Sequence, residues 1–117
     1  MSAVLFVGSE DWSREFRVSN QNAVATSYAE AVTCYVQLKV DLVVVEVGDD
    51  RGAAINVIET LALSGAQVLG VVRGAMPNWL MMAIHNFGAH QTLWNPADAE
   101  LNKAIQAFNV PGGQPLG

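Results

Sequence analysis

The stretch Asp41-Leu42-Val43-Val44-Val45-Glu46-Val47 constrains this chain more than any other. Entered at an aspartate and left through Gly48-Asp49-Asp50, it is aliphatic without a break from Leu42 to Val45, and until Glu46 it has no alternate polar position to turn toward water. Such a run predicts a strand buried on both faces, of the kind found in the middle of a parallel sheet covered by helices. In open sheets of that type ligands bind at the carboxyl ends of the strands, so Glu46 marks the place to look for chemistry.

A strand buried on both sides needs a core around it, and the chain can supply one. It has 117 residues, 51% hydrophobic and 15% charged, which predicts a single globular domain. The net charge of −5 and the scattered basic residues (Arg14, Arg17, Lys39, Arg51, Arg73, Lys103) argue against a nucleic-acid surface. No run approaches eighteen consecutive apolar residues, so no membrane insertion is expected. Met1-Ser2-Ala3 leads straight into strand-like sequence without a signal peptide's charged start, and a cytoplasmic protein is expected. The single cysteine, Cys34, has no partner for an internal disulfide.

Around the central run, apolar segments alternate in period. Ala3–Val7 predicts a strand closed by Gly8-Ser9, and residues 10–20 a short helix with Trp12 and Phe16 on one face. Ala23–Thr26 predicts an edge-ward strand, and Tyr28–Leu38 a helix on Ala31, Val32, Tyr35 and Leu38. After the loop over Gly48–Gly52, Ala53–Leu63 has a helical stripe of Ile55, Ile58, Leu61 and Ala62. Strands follow over 67–72 and 90–94. Between them lies a helix that Asn78 is expected to cap and Gly88 to stop after Phe87. Asn95-Pro96 reads as the capped start of a last helix, with Leu101, Ala104, Ile105 and Phe108 inward. The expected architecture is α/β, a doubly wound five-stranded parallel sheet with helices on both faces, over residues 1–109. Residues 110–117 have Pro/Gly composition and are expected to be a tail or a linker to a further C-terminal domain. The pattern by itself also suits a flavodoxin-like ligand-binding module or a small enzyme.

Three signatures resemble the receiver domain of bacterial response regulators, over roughly residues 3–108. Val4-Leu5-Phe6-Val7-Gly8-Ser9-Glu10 stands where that family has an aliphatic strand ending in acidic residues. Asp41–Glu46 resembles the strand that ends in the phosphoacceptor Asp, and Gly88-Ala89-His90-Gln91-Thr92-Leu93-Trp94-Asn95-Pro96 resembles the Gly-Ala turn, fifth strand and Lys-Pro step. The resemblance implies strand order 2-1-3-4-5. It also implies a phosphoacceptor pocket at Gly8, Ser9, Glu10, Glu46, Val72, Arg73 and Asn95, and this chain's residues make that pocket degenerate. Gly8 and Ser9 replace the acidic pair that supplies hard oxygen ligands to Mg²⁺, leaving Glu10 nearby. Glu46 is a methylene longer than Asp, which displaces its carboxylate from the geometry of phosphoryl transfer. Asn95 replaces the lysine, Val72 or Arg73 the Ser/Thr of the fourth strand, and Thr92 the aromatic of the fifth. The resemblance thus implies a pseudo-receiver: no enzyme, no cofactor and no metal. Glu46 as a permanent phosphoryl mimic is a subordinate reading, and a receiver still phosphorylated on Glu46 an alternative one.

Other residues carry less. His85 and His90 are five apart, outside the spacings that metal pairs on helices prefer. Cys34 has no neighbouring group to activate it, and Gly8-Ser9 alone is no phosphate loop. The helix Asn78-Trp79-Leu80-Met81-Met82-Ala83-Ile84-His85-Asn86-Phe87 has no Asp, Glu, Lys or Arg. With Leu80, Ala83, Ile84 and Phe87 toward the sheet, Trp79, Met82 and His85 or Asn86 face outward. Trp79, Met82, His85, Thr92 and Trp94 are therefore expected to form an interaction surface. In receivers this face, made by the fourth helix, fifth strand and fifth helix, serves dimerisation and docking. The expected partner is a second copy or another protein domain.

Overall fold

A computed structural model of the chain describes residues 4–9, 23–38, 40, 42–48, 50–75 and 77–109. The helix read over 10–20, Glu10 and the segment 110–117 lie outside the described residues. The elements run β1 (Val4–Val7), β2 (Ala23–Thr26), α1 (Ala31–Leu38), β3 (Leu42–Val47), α2 (Arg51–Leu63), β4 (Val68–Val72), α3 (Asn78–Asn86), β5 (Gln91–Trp94) and α4 (Asp98–Asn109).

The strands form one parallel sheet in the order β2-β1-β3-β4-β5. The aliphatic run does occupy its middle: β3 pairs with β1 from Val4↔Leu42 to Val7↔Val45, and with β4 from Val43↔Val68 to Val47↔Val72. Side chains alternate across a strand, so β3 feeds two cores. Val43, Val45 and Val47 join Leu5, Val7, Ala54, Ile58, Leu61, Leu80 and Ile84 on one face. Leu42 and Val44 join Phe6, Leu69, Val71, Leu101, Ala104 and Ile105 on the other. The expectation of a parallel α/β sheet with both faces covered holds. Among the described residues no helix is long and apolar enough to cross a membrane.

Several boundaries differ from those the sequence predicts, each for a local reason. Residues 28–30 form a turn before α1, closed by Ala31 N–H donating to the Tyr28 carbonyl at 3.4 Å. Helix α2 begins at Arg51, because Asp50 caps it by accepting from Ala53 N–H at 3.2 Å; Arg51 and Gly52 are thus helical. Asn78 does not cap α3. The cap position is Pro77, in extended conformation and without a side-chain bond, and Asn78 is the first helical residue. Helix α3 ends at Asn86, and Phe87, expected inside, lies at the C-cap 40% exposed.

Asn95 does not cap α4, which starts only at Asp98. It takes a left-handed φ of 45°, a conformation that asparagine tolerates better than most residues.

Gly88 stops α3 as its sequence position suggests, and for two reasons. Its φ is +118°, and a Cβ there would stand 2.4 Å from the Cβ of Ala62, so α2 and the end of α3 meet through a glycine.

Candidate functional site

The carboxyl ends of β1, β3, β4 and β5 lie side by side, and the loops leaving them are tied back to the sheet. Gly8 N–H donates to the Thr26 carbonyl at 3.2 Å, Arg73 N–H to Val47 at 3.0 Å, and Asn95 N–H to Val72 at 2.8 Å. Glu46 sits among these ends. It is 7% exposed, the one buried charged residue among those described, and its Oε1 accepts from Ser9 N–H at 2.8 Å. A buried carboxylate demands a donor, and here the β1 loop supplies a backbone amide.

Sequence reasoning missed Tyr28. Placed just past the end of β2, it donates its hydroxyl to the backbone carbonyl of Glu46. Burial, followed by the Glu46 and Asp50 carboxylates, pushes the Tyr28 hydroxyl up to about 12, against a small opposing effect of the Gly48 backbone. The unfolded chain releases that proton near its ordinary pKa of about 10. Between roughly pH 10 and 12 the folded chain holds more protons than the unfolded one, so this contribution to stability is present below pH 10 and is lost as pH rises through 12. Because the ring is partly exposed, screening limits it to about 1 kcal/mol. Tyr28→Phe is expected to flatten the alkaline fall in stability over that window, read by urea unfolding at stepped pH; an unchanged slope would put Tyr28 outside the effect.

Asn95, just past the end of β5, turns its amide to Gly74 in the β4–α3 connection. Oδ1 accepts from Gly74 N–H at 2.9 Å, and Nδ2 donates to the Gly74 carbonyl at 3.1 Å. Only one orientation of the amide satisfies both. The same carbonyl accepts from Trp94 Nε1 at 2.7 Å, which uses both of its lone pairs. Val72 is fully buried in β4, whereas Arg73 is exposed beyond it. The structure therefore gathers Ser9, Glu46 and Tyr28 into one hydrogen-bonded group and Asn95, Trp94 and Gly74 into another.

Register places Thr92 and Trp94 on the sheet face that carries α3, opposite Gly70 and Val72. The Thr92 hydroxyl is buried with no hydrogen-bond partner. An orphaned buried hydroxyl costs about 1–3 kcal/mol, so Thr92→Val is expected to raise stability by about 1 kcal/mol. A lower urea midpoint for that variant would mean the hydroxyl has a partner.

Outward from the sheet, α3 buries only Leu80 and Ile84 completely, and Trp79, Met81, Met82 and His85 are exposed. Trp79, Met82 and Trp94 are 58%, 63% and 60% exposed. Elsewhere His90 Nδ1 accepts from Val68 N–H at 3.2 Å, and the half-buried Cys34 thiol donates to Thr26 Oγ1 at 3.5 Å. Among the described residues no three His, Cys, Asp or Glu side chains are grouped to hold a metal ion.

No protein-family model matches the chain, and no curated protein sequence does. Solved structures do. A response regulator from Thermotoga maritima is 17% identical over 93% of this chain and 99% of its own, with a TM-score of 0.72. A pilus assembly-related protein from Burkholderia pseudomallei is 18% identical over 92% of this chain and 89% of its own, with a TM-score of 0.71. A pilus assembly protein from Burkholderia thailandensis is 13% identical over 93% and 98%, at 0.72. At such identities the likeness is one of fold, and the fold of this chain is receiver-like.

Proposed function

We propose that this chain is a receiver-like signalling module that works by protein contact and not by phosphoryl transfer. The observation that carries the proposal is the engagement of Glu46: its carboxylate is buried and accepts from the backbone amide of Ser9. An attacking carboxylate must be free to reach a phosphoryl donor, and a metal beside it needs oxygen ligands from its neighbours. Gly8 and Ser9 offer no carboxylate there, and the amide of Asn95 is taken up by Gly74. In this reading the pocket is a hydrogen-bonded seal, the chain needs no cofactor, and it is not an enzyme.

Its working surface is the outer side of α3 with the end of β5, anchored on Trp79, Met82 and Trp94. Exposed aromatic and methionine side chains are the usual anchors of such surfaces. The partner is a second copy of the chain. On an acidic protein an uncharged helix offers the place where two like-charged molecules meet with least repulsion. In this reading the chain serves as the regulatory domain of a longer cytoplasmic protein, such as a pilus-assembly or localisation ATPase or a transcriptional regulator, and the likeness to two pilus-assembly proteins and a response regulator supports its signalling role.

Incubation with acetyl phosphate and Mg²⁺, followed by intact-mass measurement, is expected to give no phosphoryl adduct. Beryllofluoride is expected to leave the tryptophan fluorescence unchanged. An adduct on Glu46 would replace this proposal with that of a phosphorylated switch. Equilibrium sedimentation tests the surface, because Trp79→Ala with Met82→Ala is expected to weaken self-association. If Glu46→Gln alone shifts that association, the carboxylate acts as a standing phosphoryl mimic.

A further inference from the structure

We infer that Asn95, Trp94 and Arg51 form a clasp on the β4–α3 connection that sets the position of α3, and with it the apolar face, without any ligand. The inference rests on the reading of that face as the docking surface and adds what holds it in one geometry.

The connection between β4 and α3 is short, Arg73, Gly74 and Ala75 in it are exposed, and its backbone is held by side chains from two other elements. From the end of β5, Asn95 takes both the N–H and the carbonyl of Gly74, and Trp94 Nε1 adds a second donor to that carbonyl. From the first turn of α2, Arg51 Nη2 donates to the Ala75 carbonyl at 2.6 Å. Gly74 has a φ of +93°, which lets the chain turn between these two grips. Three residues further on, the Pro77 carbonyl accepts from Leu80 N–H at 3.0 Å and Met81 N–H at 3.4 Å, which joins the connection to the first turn of α3.

A helix held only by its buried side chains would need no such arrangement. Helix α3 is nine residues long and has two fully buried side chains, Leu80 and Ile84, too few to fix its rotation by packing alone. Its far end meets α2 at Gly88 and Ala62, and its near end is set by the connection. Trp94 belongs to the clasp and to the apolar face at once. Its indole N–H grips Gly74 while the residue as a whole stays exposed. Asn95 is thus a positioning residue that acts on the face through Gly74, and its left-handed backbone aims its amide back across the sheet end.

The test is amide hydrogen exchange on the intact chain carrying Asn95→Gly, which keeps the left-handed backbone accessible and removes the amide. Exchange at Gly74, and at Leu80 and Met81 beyond it, is expected to rise about five- to tenfold, with the amides of β3 unchanged. Trp94→Phe and Arg51→Met are expected to give smaller rises at the same positions. Unchanged exchange at Gly74 would overturn the clasp, and a rise confined to Gly74 would overturn its hold on α3. Should Asn95→Gly loosen β3 as well, the other two variants decide by the same criteria. Self-association is read separately. If exchange rises while association stays the same, the clasp stands and the docking-surface reading fails.

Discussion

Gly88→Ala is expected to cost about 4 kcal/mol, a large part of the roughly 5–15 kcal/mol that stabilises a domain of this size. Two penalties add. An alanine at φ +118° occupies backbone space open essentially to glycine alone, at about 1–3 kcal/mol. Its Cβ would also overlap that of Ala62, since 2.4 Å is well inside contact, and relief requires α2 and α3 to part at a further 1–3 kcal/mol. The two are separable. Adding Ala62→Gly removes the overlap and leaves the backbone penalty, so the double variant is expected to recover part of the loss even though glycine near a helix end costs up to about 1 kcal/mol itself. Urea midpoints of the four chains measure the cycle. A Gly88→Ala chain as stable as the parent would mean that α2 and α3 do not approach as described.

Leu80→Ala is the second large effect, about 2–5 kcal/mol, from the lost transfer free energy and the cavity left behind. Leu80 is fully buried beside Ile84 in the core on that side of the sheet. With one of its two anchors gone, α3 is expected to lose exchange protection along its whole length while the central strands keep theirs. Uniform loosening of sheet and helix together would show instead that α3 and the sheet unfold as one unit.

The sequence disclosed best what depends on one local property. The aliphatic run of β3 reads as a central strand because nothing in it before Glu46 suits a water-facing position. Gly88 reads as a stop because few other residues end a helix so readily. Bonds between distant loops were not legible. Asn95-Pro96 has the form of a helix cap, but the partner of Asn95 lies 21 residues earlier, at Gly74, and nothing in the spacing announces it. Tyr28 resembles a first helical residue, and its role depends on the Glu46 carbonyl, 18 residues further on. The sequence places Phe87 inward only if the helix runs one residue longer; because it ends at Asn86, the stripe through Leu80 and Ile84 does not reach Phe87. Of the pocket residues read from receiver likeness, Gly8, Ser9, Glu46, Val72, Arg73 and Asn95 stand at or just past the ends of β1, β3, β4 and β5, and Glu10 lies outside the described residues. What each side chain does there became legible only with the partners in place.

The purely parallel sheet also has a consequence for how the chain reaches its fold. Parallel neighbours cannot be joined by a tight hairpin, so each pairing must await a crossover and the closure of a long loop. β1 is made before β2 and β3, yet it lies inside the sheet between them. Its Val4–Val7 segment, fully apolar and buried in the finished fold, stays half-paired until β3 has been made. The β3–α2–β4 unit closes a shorter loop than β1 with β3, and both of its strands are buried along their whole length. We expect it to form first, with β1 and β2 added to a sheet already begun, and folding to be slower than in helical bundles of similar length.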